Sequence, residues 1–116
     1  MMGRQYILDE RGEPQRCDDL MQWAKWFDQD ERRVVRRNTF YVGDDEIRVS
    51  TVFLGADHGW PPGGPPVLWE TMIFGGDHHE EQWRYTSRDD AIRVHEQVVY
   101  DLMHGMPKLF GSDTEC

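Results

Sequence analysis

The stretch "VVRRNTFYVGDDEIRVSTVFL", residues 34–54, decides the fold. Two β-rich runs, 34–42 and 47–54, flank "GDDE", whose Gly43 and paired aspartates suit a tight reversal, so the stretch predicts a β-hairpin. In the second arm Ile47, Val49, Thr51 and Phe53 alternate onto one face, while Val52 and Leu54 make the other face partly apolar. That is the pattern of a strand inside a sheet rather than at its edge.

Such a sheet needs more strands and a cover, and the flanking sequence supplies both. Downstream, residues 67–74, closed by Gly75 and Gly76, and "QWRYT", residues 82–86, read as two further strands joined through the polar "DHHEE". Upstream, "QYIL", residues 5–8, reads as a short strand ending in the turn "DERGEP", punctuated by Gly12 and Pro14. Asp19 and Gln22 have capping-box spacing, and Leu20, Trp23, Ala24 and Phe27 recur at helical intervals, which predicts a helix over 18–30. Ser87 and Asp90 repeat the cap ahead of a stripe of Ala91, His95, Val98 and Leu102, and Gly105 with Pro107 ends that helix. The expected fold is α+β: a single domain over residues 1–105, with a mainly antiparallel sheet of about five strands and two helices on one face. Residues 106–116 are expected to form a flexible C-terminal tail.

Composition bounds the function. A chain of 116 residues can bury one core, and five Trp with five Phe supply the apolar bulk for it. Acidic residues outnumber basic ones 22 to 13, and the resulting net charge of −9 repels a phosphate backbone, so direct nucleic-acid binding is not expected. The local basic stripe "RRVVRR", residues 32–37, fits solvent-facing arginines on a strand edge or an anion contact. Cys17 and Cys116 form no disulfide framework, and the chain shows neither a signal-peptide core nor an apolar run long enough to cross a bilayer. A cytoplasmic protein with no membrane association is expected.

The candidate polar residues lie around "GADHGWPPGGPP", residues 55–66, a long loop for so small a domain. Two readings of it stand: a stiff crossover with Trp60 folded back onto the core, or a rigid element presenting Trp60 to a partner. Asp57 beside His58 can fix an imidazole tautomer for base or metal chemistry, or merely form a local hydrogen bond. Glu70 alternates with Leu68, Met72 and Phe74 and is therefore expected to be buried and paired with Arg84, a pair whose breakage would cost about 3 to 5 kcal/mol. His95, on the apolar stripe of the second helix, requires a hydrogen-bond partner. Were His58, Glu70 and His95 to converge, they would form a two-histidine, one-carboxylate metal set. His78 and His79 are read as solvent-facing loop residues. No HExxH, CxxC or GxSxG context is present, and no cofactor or structural metal is expected.

The segments "RVSTVFLGADHGW", "PPVLWETMIFGG" and "WRYTSRDDAIRVHEQ", with the opening "YILDERGEP", resemble a family of small proteins encoded by tailed phages and prophages, over residues 5–100. The family's Leu-Asp-His loop, Glu-Thr strand and Arg-Tyr-x-Thr segment look like Asp57, His58, Glu70, Thr71, Arg84, Tyr85 and Thr86 here. Val94 stands before His95 where that pattern has a glycine. The resemblance implies a phage setting rather than a reaction. Three functions are then open. One is a protein-binding accessory factor, acting on a host or phage protein through Trp60, Asp57, His58, Arg84 and Tyr85 and inhibiting a host process or defence system. The second is a small metal-dependent hydrolase using His58, Glu70 and His95. The third is a minor virion or assembly component. The absence of any motif with a chemical mechanism weighs toward binding.

Overall fold

The computed structural model describes residues 4–59 and 63–105. Trp60 and the expected tail, 106–116, lie outside the described residues. The hairpin forms as read: β3 (Val34–Val42) and β4 (Asp45–Phe53) pair antiparallel, closing at Val42 opposite Asp45, with a register shift between Val34 and Arg36. The two intervening residues reverse the chain because Gly43 takes a φ of 61°, the left-handed first position of a type II′ turn. β5 (Trp69–Phe74) and β6 (Gln82–Tyr85) continue the sheet in the order β3-β4-β5-β6, every pair antiparallel. β4 is an interior strand, as its two-sided apolar pattern requires.

The N-terminal segment departs from expectation. β1 (Tyr6–Leu8) pairs with β2 (Pro14–Arg16) in a separate two-stranded sheet, so a four-stranded sheet and a small hairpin replace one sheet of five strands. The cause is Asp9, whose Oδ1 accepts hydrogen bonds from Arg11 N and Glu13 N at 2.9 Å each and folds the chain straight back on itself. A single bridge, Gln5 to Ala56, ties this hairpin to the segment after β4.

Both helix caps are made, with Asp19 accepting from Gln22 N and Ser87 from Asp90 N, each at 3.1 Å. α1 (Leu20–Phe27) is shorter than expected, and α2 (Asp30–Arg33) adds one turn before β3. The inward face of α1 also differs: Trp26 is buried and Trp23 and Phe27 half-buried, while Leu20 and Ala24 are exposed. Two contacts set that rotation. Trp23 Nε1 donates to Gly55 O at 2.9 Å, and the Trp26 ring meets Phe53 edge-on at 5.6 Å. Gly55 is required there, since its φ is 79° and a Cβ would stand 2.8 Å from the Phe27 ring.

α3 (Arg88–Met103) lies across all four strands of the main sheet. Beneath it Ile47, Val49 and Ile73 meet Val94, Val98 and Leu102, and a second cluster of Trp26, Phe53, Leu68, Trp69 and Ala91 continues the core toward α1. The opposite face of the sheet carries no helix among the described residues.

Candidate functional site

β5 distributes its polar side chains by strict alternation. Trp69, Thr71 and Ile73 are buried toward α3, whereas Glu70, Met72 and Phe74 are half-buried on the opposite face. The expected company of Glu70 is corrected accordingly: Leu68 precedes β5 and is buried in the core cluster with Phe53, Trp69 and Ala91, while Met72 and Phe74 alternate with Glu70. The pairing itself is as expected. Glu70 stands directly opposite Arg84, whose Nε donates to Glu70 Oε2 at 2.9 Å. The carboxylate side chain retains 13% exposure and the guanidinium 42%, so this is a cross-strand ion pair on a partly open face rather than a buried one.

On the covered face, His95 is fully buried, with hydrogen bonds at both ring nitrogens. Asn38 Oδ1, 2.7 Å from Nε2, can only accept, so Nε2 carries the proton. Nδ1 then accepts from the Thr51 hydroxyl at 2.7 Å, and the Thr51 oxygen accepts in turn from Thr71 at 2.5 Å. The result is a one-directional chain from β5 through β4 to α3 and on to β3. Burial, reinforced by the Arg36 charge and opposed by Glu96, pushes the His95 pKa down to about 4 and holds the ring neutral. A neutral imidazole without solvent contact, its two nitrogens both occupied, orders the helix against the sheet. Tyr85 points to this same side, away from its neighbour Arg84. Its hydroxyl is buried beside Thr71 outside hydrogen-bond geometry, and burial pushes its pKa up.

His58, Glu70 and His95 therefore do not converge. The sheet separates Glu70 from His95, and His58 is an exposed loop residue whose Nδ1 donates to Ala56 O at 2.8 Å. Among the described residues no group of three or more His, Cys, Asp or Glu side chains is placed to hold a metal ion. Asp57 and His58 form no dyad either, because each is engaged with backbone.

What Asp57 does is close the loop. Its Oδ1 accepts from Gly59 N at 2.8 Å and from Val67 N at 2.9 Å, which holds the carboxyl below the usual carboxylate range. His58 N donates to Val67 O at 3.0 Å and Asp57 N to Arg4 O at 2.9 Å, so both stems of the loop are fastened at one level. Beyond this base Gly63, Gly64 and Pro65 are exposed. Trp60 falls outside the described residues.

The sequence places Thr51 on the inward face of its strand and the resemblance picks out Thr71, but neither is given a polar partner there, and Asn38 is given no role at all. The signal for the first two was present, since each is a hydroxyl residue standing in the apolar alternation of an interior strand. Comparison with protein families, with curated proteins and with solved structures finds no match to this chain.

Proposed function

We propose that this chain is a small acidic accessory protein of the phage type, acting in the host cytoplasm by binding another protein through its 57–67 loop. The observation that carries the reading is the Asp57 carboxylate, which accepts hydrogen bonds from residues 59 and 67 together and pins the loop at its base. Stems tied together before association leave less chain to order on binding, and four prolines within residues 61–66 narrow the backbone choices of the segment between them. Trp60 is the anchor that the sequence offers in that segment, since an indole can supply much of an interface's energy. The net charge of −9 suits a partner with a basic surface, of the kind that handles nucleic acid, and inhibition of a host process or defence system is the setting the phage resemblance implies.

The test is capture from host lysate followed by affinity measurement on the captured protein with Trp60→Ala and Asp57→Ala. Trp60→Ala is expected to weaken binding by about 2 kcal/mol or more, and to leave the unfolding free energy from a urea melt within about 1 kcal/mol of wild type. Asp57→Ala should weaken binding by loosening the loop even with Trp60 in place. A Trp60→Ala protein that unfolds, or that binds as well as wild type, would reduce the loop to a crossover.

A further inference from the structure

β3 is the edge of the main sheet, and among the described residues no strand pairs with its outer side. Its geometry fixes which backbone groups are left over. Val42 and Asp45 close a two-residue turn and so exchange hydrogen bonds with each other, and the alternation of an antiparallel ladder then turns Phe40 and Asn38 toward β4 as well. Tyr41, Thr39 and Arg37 consequently direct their N–H and C=O groups outward. The register shift lies between Val34 and Arg36, leaving residues 36–42 as a regular edge without proline or lysine.

We propose that a second copy of this chain adds to this edge, with the two β3 strands antiparallel about a two-fold axis at Thr39. That register uses every outward-facing group of the regular segment: Thr39 pairs with Thr39 of the other copy, and Arg37 with Tyr41 on each side of the axis. It also resolves the charges. Parallel addition in register would set Arg36 and Arg37 against their own copies, and a two-fold axis at either arginine would do the same. The Thr39 axis instead places Arg37 beside an exposed tyrosine ring and Arg36 beside Val42, with a threonine pair at the centre.

The surroundings of the edge support the same occupant. Of the six large apolar side chains exposed among the described residues, Tyr41 and Val42 lie on β3 itself, and Tyr100 and Met103 line a cleft of about 270 Å³ between α3 and the edge residues Arg36 and Asn38. Adding a copy about the Thr39 axis continues the sheet with both α3 helices on the same face, so these two clefts face each other across the axis. An isologous contact of this kind closes at two subunits.

Sedimentation velocity over a concentration series tests the proposal. Wild type is expected to dimerise, and Thr39→Pro to weaken the dimer by roughly tenfold or more, since proline at an outward-facing edge position removes a donor from the new pairing but none from the β3–β4 ladder. Thr39→Cys should be trapped by mild oxidation as a covalent dimer, because partners across a hydrogen-bonded pair lie within disulfide reach, whereas Arg37→Cys, opposite Tyr41, should not. A wild-type chain that stays monomeric throughout would overturn the proposal. So would a dimer that Thr39→Pro leaves intact, or failure of Thr39→Cys to crosslink, and the crosslink decides the matter if the proline variant does not fold.

Discussion

Glu70 and Thr71 are neighbours on one strand and live in different solvents. Thr71 points under α3 into a closed chain of hydrogen bonds ending at His95 and Asn38, while Glu70 points out to an ion pair with a half-exposed arginine. The more polar residue thus has the more forgiving position. Water can replace whatever Glu70 loses, but nothing can replace what His95 or Thr51 loses, because an unsatisfied buried group bears its full desolvation cost. The sheet is a partition, and polar groups matter to stability according to the side on which they fall.

His95→Ala is the largest perturbation of this contrast. It opens a cavity and strips partners from Thr51 and Asn38 together, for an expected loss of roughly 4 kcal/mol in a urea melt. A loss under about 1 kcal/mol would show that the covered face tolerates broken hydrogen bonds as readily as the open one.

Acid provides the second test without a mutation. The folded-state pKa of His95, about 4, lies below its ordinary value of 6.5, so the unfolded chain takes up the proton first. The contribution of the neutral ring is full above pH 6.5 and is lost as pH falls toward 4, by roughly 3 kcal/mol. Subtracting the pH profile of His95→Gln isolates it from the carboxylates. Superimposable profiles would mean that the buried ring accepts a proton freely.

Glu70→Ala is the smallest effect and sharpens the comparison from the other side. A fully buried pair would have cost about 3 to 5 kcal/mol to break, but the exposure of Arg84 lowers the expected loss to about 1 kcal/mol or less, falling further with added salt. A loss of the larger size, insensitive to salt, would mean that the outer face is shielded from water.

Much of this was legible in advance for reasons that are themselves local. The Asp19 and Ser87 caps act over three residues, and the Gly43 turn over four, so their partners lie within the window that a reader scans. The Glu70 and Arg84 pairing was also within reach, because consecutive antiparallel strands bring such positions opposite each other. The face of α1 differs from the expected one because helical spacing sets Leu20 and Ala24 with Trp23 and Phe27 and leaves Trp26 off that stripe. Tertiary contact overrides that spacing: the indoles of Trp23 and Trp26 found Gly55 and Phe53, and the helix turned to suit them.

The sequence by itself determined the four strands of the main sheet, the helices α1 and α3 with their caps, the Gly43 turn, and the alternation that makes β4 an interior strand, since all of these follow from periodicity and short-range backbone chemistry; β2 and α2 it did not. Which polar groups meet was decided only by the tertiary structure. Thr51 stands 20 residues from Thr71 and 44 from His95, and His95 stands 57 from Asn38. Their meeting depends on strand register and on where α3 crosses the sheet. The same crossing puts His95 beneath the helix and leaves Glu70 outside, so a metal set compatible with the residue types is incompatible with the two sides of one sheet.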